Sequence, residues 1–194
     1  NIQDYISKGL ESFQQVHPDY KNKFEVLVVN DGSTDDTALV AEKILAKDSL
    51  LDGRVITKEN GGHGSTINRG IQEAKGKFFK VIDGDDWVIP SEFEKFLDAL
   101  ETVNVDMVIT DFTEQHVYNN TAVRNDFVDK YEIGKKHMGI PDVRIPMHSV
   151  TYKASILSEN KIRLSEKTFY VDIQYTLFPL EYVHSFSYWN YDIY

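Results

Sequence analysis

The stretch "KFEVLVVNDGST", Lys23 to Thr34, decides how the rest of the chain is read. Four aliphatic residues, Val26 to Val29, run straight into Asn30, Asp31, Gly32 and Ser33. A strand that is apolar at every position is buried on both faces, and the Asp-Gly-Ser that ends it is turn chemistry. Working outward, Ile2 to Val16 reads as a helix with Tyr5, Ile6, Leu10 and Phe13 on one face. Ser33 and Asp36 form a capping-box pattern that predicts a helix from Thr34 to about Ala46. "RVITKE" is a second strand, and "GGHGSTINRGIQEAKG" enters a helix that Gly76 should close. "KFFKVI" is a third strand, and "PSEFEKFLDALE" a helix boxed by Ser91 and Glu94, with Phe93, Phe96, Leu97 and Leu100 inward. "VDMVIT" is a fourth strand. Apolar strands alternating with helices predict an α/β fold, a doubly wound and mostly parallel sheet with helices on both faces.

In such sheets ligands bind beyond the carboxyl ends of the strands. Asp31, Asn60 and Asp83 all fall at those ends. The third strand continues as "FFKVIDGDDWVIP", Phe78 to Pro90, which crowds Asp83, Asp85 and Asp86 into one turn. Carboxylates this close repel one another, and a bound cation is the natural compensation. A solvated acidic turn is the plainer alternative, and the shared position at the strand ends favours a site.

Composition narrows the function classes. A chain of 194 residues suits one domain, and its hydrophobic and charged fractions of 41% and 27% are those of a globular protein. No apolar run approaches the roughly 20 residues of a membrane-spanning helix. There are no cysteines, which excludes disulfides and thiolate zinc sites. A net charge of −10 argues against nucleic-acid binding. Residues 1–110 form the regular half. The second, 111–194, is less regular and reads as extra strands and short helices on the same sheet.

Four blocks, "EVLVVNDGSTDDT", "ENGGHGSTINRGI", "VIDGDDWVIP" and "YVDIQY", resemble in this order the signature blocks of family 2 glycosyltransferases with the GT-A, Rossmann-like fold. The resemblance implies an inverting, metal-dependent enzyme of bacterial cell-surface glycan synthesis. It would move a sugar from a nucleotide-diphosphate donor, a UDP-sugar, to a saccharide or lipid-linked acceptor on the cytoplasmic side, with room for peripheral membrane association. Residues 1–110 would be the nucleotide-sugar half and 111–194 the acceptor side. Asp31 resembles the aspartate that accepts a hydrogen bond from uracil, and Ser33 stands beside it. Asn60 to Gly64 would let backbone approach the nucleotide. Asn68 matches the family pattern, whereas many members carry an arginine where this chain has Ile67. Asp83-Gly84-Asp85 matches the Asp-X-Asp that holds Mn²⁺ or Mg²⁺, Asp85 as the direct ligand and Asp83 contacting ribose or metal. Asp86 would orient the loop or the donor sugar. Asp172 corresponds to the catalytic base, with Val171 in place of the usual Glu. Of the six histidines, His63 and His148 are the two expected to line the site, neither as a catalytic group.

Rival readings are a haloacid-dehalogenase-like phosphatase, for which Asp-X-Asp would be the nucleophile motif, and a nucleotide-sugar-binding module without turnover. Against the former, Trp87 stands where Thr or Val is wanted. An EF-hand is excluded because Trp87 and Val88 occupy its fifth-ligand and glycine positions. The resemblance carries one more expectation. In family members an apolar strand precedes a helix like "NIQDYISKGLESF" and lies between the strands ending at Asn30 and Asp83. The sequence is therefore expected to be a fragment lacking that strand, with a gap between those two strands or something else filling it.

Overall fold

The computed structural model describes residues 1–116 and 118–194. The chain opens with α1 (Ile6–Gln14), which buries Ile6, Leu10 and Phe13 at helical spacing. The elements β1 (Glu25–Asn30), α2 (Thr37–Leu45), β2 (Asp52–Thr57), α3 (His63–Glu73), β3 (Phe78–Lys80), α4 (Pro90–Thr102) and β4 (Met107–His116) then alternate. They are followed by β5 (Thr121–Asn125), β6 (Lys136–Met138), β7 (Val150–Lys153), α5 (Ala154–Glu159), α6 (Val171–Leu177) and β8 (Ser185–Asp192).

The α/β class is as expected, and β4 shows why helices must cover both faces. Side chains alternate along a strand. Val108 joins a core built on Ile6, Leu10, Phe93 and Phe96 from α1 and α4. Its neighbours Met107 and Ile109 join a second core with Ile67 of α3, Leu157 of α5 and Tyr175 of α6. All three are essentially sealed from solvent.

Strand pairing is mixed. β1 and β2 pair in parallel as a sheet of their own. The larger sheet runs β3-β7-β4-β8-β6, with β5 on the outer half of β4. There β4–β8 is parallel, and β3–β7, β4–β7, β4–β5 and β6–β8 are antiparallel. Parallel neighbours need helical crossovers, which the regular first half has. In the second half only β4 and β5 are joined by a short connection of the kind that suits antiparallel neighbours.

Helix ends differ from the sequence expectation for local reasons. α2 starts at Thr37, because the Asp35 carboxylate accepts both the Thr37 amide (3.1 Å) and its hydroxyl (2.6 Å), replacing the Ser33–Asp36 box. α4 starts on Pro90, and Glu94 accepts the amide of His17 at 2.7 Å instead of capping its own helix. α3 stops at Glu73, before Gly76, because Arg54 takes the Glu73 carbonyl (2.9 Å) and Glu25 takes the amides of Lys75 and Gly76.

Among the described residues β1 and β3 are not paired with each other. A cavity of about 620 Å³ separates them, walled by Val26 to Asn30 on one side and Phe78 to Ile82 on the other. Its polar end is formed by Asp31, His63, Asp83 and Asp86. That end is where the candidate site lies.

Candidate functional site

One wall of the site is a glycine loop held by a carboxylate. Asp31 follows β1, and its Oδ1 accepts from Lys58 Nζ (2.7 Å) and the Gly61 amide (2.9 Å) while Oδ2 accepts from the Gly62 amide (2.7 Å). Burial raises the Asp31 carboxyl, but Lys58 and the two amides outweigh it and hold it below the usual carboxylate range. Lys58 is itself spent on Asp31, the Glu59 carbonyl (2.5 Å) and Ser65 Oγ (2.8 Å). Asn60 donates to the Asp31 carbonyl at 3.0 Å, and the Ser33 amide donates to Asn30 Oδ1 at 3.1 Å. Gly62, at φ 79°, turns the chain into α3 in a conformation that glycine adopts without strain. The first amides of α3 lack intrahelical partners, so the helix presents its positive end here.

The facing wall is the acidic turn after β3. The Asp86 amide donates to the Asp83 carbonyl at 3.1 Å, which folds the turn back on itself. Asp83, Asp86 and His148 each offer a ligand atom, all within 4.8 Å of one another. Asp85 stays exposed and outside this group. Of the expected pair Asp83 and Asp85, the structure gathers Asp83 with Asp86, because the reversal at Asp83–Asp86 brings the first and last carboxylates together. Imidazoles flank Asp83 on both sides, His63 Nε2 at 3.6 Å and His148 Nε2 at 3.5 Å. Burial works against Asp83 ionisation, but the His148 hydrogen bond and the two imidazoles hold its carboxyl low. Asp86 goes the other way. Burial raises it, Tyr194 partly offsets this, and the charges of Asp85 and Asp83 raise it further. That residual repulsion is what a cation would relieve.

Helix α1 and strand β3 hold this wall in place. A Cβ at Gly9 would lie 2.5 Å from the Asp86 carbonyl oxygen, so only glycine lets α1 approach the turn. Ser12 Oγ accepts the Val88 amide at 3.1 Å. Lys80, half-buried on β3, donates to the His148 carbonyl at 2.5 Å. Its burial pulls the ammonium down to about 7.

Gly64 and Asn68 connect the glycine loop to the second half of the chain. A Cβ at Gly64 would collide with the Ser165 carbonyl and touch Val171 Cγ1 at 3.2 Å. Asn68 is buried, and its side chain accepts the Leu164 amide (2.8 Å) and donates to the Leu164 carbonyl (2.9 Å). The structure thus places Asn68, expected at the nucleotide, against the second half of the chain. Both ends of the amide are used in holding the 164–170 segment. The Lys167 amide adds a bond to the Gly61 carbonyl at 2.7 Å. Asp172 follows in the first turn of α6, half-buried, next to the Val171 that packs on Gly64. Tyr152 donates to the Thr176 carbonyl at 2.8 Å and fixes α6 against β7.

Sequence reasoning missed Lys58, Lys80 and Tyr194. Lys58 directly follows the second strand, where a cation opposite Asp31 was a readable signal. Lys80 sits in an apolar run, and Tyr194 is 111 positions from the Asp83 amide it accepts at 2.9 Å, so neither had a local signal.

The geometry invites comparison with known proteins. The chain is 32% identical over 132 residues to EpsH of Bacillus subtilis, named as a glycosyltransferase, covering 68% of this chain and 37% of EpsH. It is 28% identical to the glycosyltransferase RP339 of Rickettsia prowazekii, over 97% of this chain and 54% of RP339. The chain thus spans about a third to a half of the length of these relatives. Among solved structures, Staphylococcus aureus TarS 1–349 in complex with UDP superposes with a TM-score of 0.73 at 22% identity, covering 96% of this chain and 57% of that one. The mannosyltransferase PcManGT from Pyrobaculum calidifontis, in complex with GDP-Man and Mn²⁺, gives 0.68 at 17% identity, covering 98% and 52%. At those identities the likeness shows the fold, which is that of the GT-A transferases. The model of the family described as "Glycosyl transferase family 2" matches residues 1–161, and the chain belongs to that family.

Proposed function

We propose that this chain binds a UDP-sugar where the β1–β3 cavity opens among Asp31, His63 and Asp83, and transfers the sugar with inversion to a hydroxyl of a saccharide or lipid-linked acceptor. One observation carries the reading. The glycine loop clamped by Asp31, the start of α3 and the Asp83–Asp86–His148 group meet at the carboxyl ends of β1, β2 and β3. Support for the donor comes from the likeness to TarS, which was solved with UDP and with UDP-GlcNAc.

Asp31 Oδ1 is crowded by Lys58, Gly61 and Ser65, whereas Oδ2 accepts, among the described residues, only the Gly62 amide and keeps one lone-pair site open. That site suits a uracil N–H. Ser33 and Asn60 shape the same rim, and the His63 and Gly64 amides at the start of α3 face the diphosphate. Two carboxylates and an imidazole fit Mn²⁺ or Mg²⁺, and Asp83, Asp86 and His148 would hold it. When bound, such an ion supplies positive charge for the departing diphosphate. Asp172 takes the proton from the acceptor hydroxyl as that oxygen attacks the anomeric carbon. No helix among the described residues is long and apolar enough to cross a membrane. The same reading has a lipid-linked acceptor met at the cytoplasmic face of a membrane.

Calorimetric titration with UDP-GlcNAc, UDP-glucose and GDP-mannose, with and without Mn²⁺, tests the donor. Binding of none of them in the presence of Mn²⁺ sinks the reading. Asp172→Asn keeps the side chain's shape and removes its basicity, so turnover should fall by roughly 10²–10⁴ with donor affinity unchanged. A collapse of donor affinity instead would make Asp172 a binding residue.

A further inference from the structure

We infer that Tyr194 is a positioning residue that sets the mutual geometry of Asp83, Asp86 and His148; as it concerns a metal, the inference rests on the reading above. Tyr194 is 8% exposed. Its hydroxyl accepts the Asp83 amide at 2.9 Å. Its ring lies 5.0 Å from the His148 ring on one side, and Phe112 stacks on that imidazole at 5.0 Å and 25°. The imidazole therefore has contacts to two aromatic rings that limit its rotation. The phenol hydroxyl pins the first residue of the acidic turn by its amide while the ring lies against His148, and the Asp86 amide's bond to the Asp83 carbonyl carries that anchoring to the far end of the turn. The anchoring keeps Asp83 and Asp86 together against their mutual repulsion.

The position of Tyr194 is itself fixed from β4. Its carbonyl accepts the Thr113 amide at 3.0 Å, and the Ile193 carbonyl accepts the Ile89 amide at 3.3 Å. The Thr113 hydroxyl donates to Asp192 at 2.6 Å. The phenol is thus held beside β4, just past the end of β8. Groups that orient metal ligands without touching the metal typically alter affinity 10- to 100-fold when removed.

The test uses residues 1–194 as wild type, Tyr194→Phe and Tyr194→Ala, titrated with MnCl₂ in a calorimeter. Tyr194→Phe keeps the ring on His148 and loses the hydroxyl, so the Mn²⁺ dissociation constant should rise about tenfold. Tyr194→Ala loses both and should weaken binding further. Independently of metal, amide hydrogen exchange at Asp83 and Asp86 in the metal-free protein should accelerate in Tyr194→Phe, while amides of β4 and α4 keep wild-type rates. Unchanged exchange at Asp83 overturns the inference. So does wild-type Mn²⁺ affinity in Tyr194→Phe. If the wild type binds no Mn²⁺ yet the exchange effect is present, the metal reading fails and the positioning role stands.

Discussion

At the scale of single residues, Asp31 is the side chain on which the glycine loop depends. Its carboxylate accepts two loop amides and Lys58. Asp31→Asn replaces one acceptor oxygen with a donor and should cost about 1–3 kcal/mol in chemical denaturation. The pH dependence follows from the sign of the shift. A carboxyl held low in the folded state contributes fully above its unfolded value of about 3.9 and loses that contribution as pH falls through the lower folded value. The stability difference between wild type and Asp31→Asn should therefore be constant near neutrality and shrink below about pH 4. Equal differences at pH 7 and pH 2.5 would show that the clamp is not electrostatic. The acidic turn gives a second residue-scale prediction. Asp86→Ala should abolish Mn²⁺ binding and Asp85→Ala should retain it, because only Asp86 is gathered with Asp83 and His148. The reverse result in a paired titration would restore Asp85 as the ligand.

Between elements, small residues decide which surfaces meet. Gly64 lets α3 touch the Ser165 carbonyl, and through it the segment leading to Asp172. Gly64→Ala must move backbone, not a flexible side-chain end, and overpacking of this kind costs about 1–3 kcal/mol. The thermal midpoint should fall and donor binding weaken together. Unaltered donor affinity in a folded Gly64→Ala would uncouple the two halves. The gap between β1 and β3 is also a matter of elements. Each strand is paired on one side, and their other edges border an apolar cavity of about 620 Å³. Unpaired backbone groups in such a place are costly, and an extended β-branched segment would satisfy both edges at once. An eight-residue Val/Ile-rich peptide should raise the thermal midpoint and slow amide exchange in both strands. If a fatty acid does so and the peptide does not, the cleft is a ligand pocket and not a place for a strand.

Across the whole molecule, binding and stability are linked, since a ligand that binds only the folded chain stabilises it by mass action. UDP-GlcNAc with Mn²⁺ at a hundred times its dissociation constant should add about 2.7 kcal/mol. For a chain of this size that is a rise of roughly 5–10 °C in the thermal midpoint. Mn²⁺ alone should give a smaller rise, lost in Asp86→Ala. An identical rise in that variant would place the metal elsewhere on a molecule whose net charge is −10.

What the sequence by itself determined was the part written in local pattern. The apolar run of Val26 to Val29 and the periodicity of Ile6, Leu10 and Phe13 dictate a buried strand and an amphipathic helix wherever the chain folds. Glycine and aspartate at strand ends mark the rim of a site because few other residues suit those turns. Spacing along the chain could not say how the acidic turn closes, so the family pattern pointed to Asp85, whereas the fold gathers Asp86 with Asp83 and His148. Nor could it assign Asn68, whose partner Leu164 lies 96 positions away. His148 reaches Asp83 because β3 and β7 pair antiparallel, and Tyr194 because β8 runs beside β4. Those neighbours are chosen by strand order, and strand order is settled by which apolar faces can be buried together, a property of the assembled core and of no single segment.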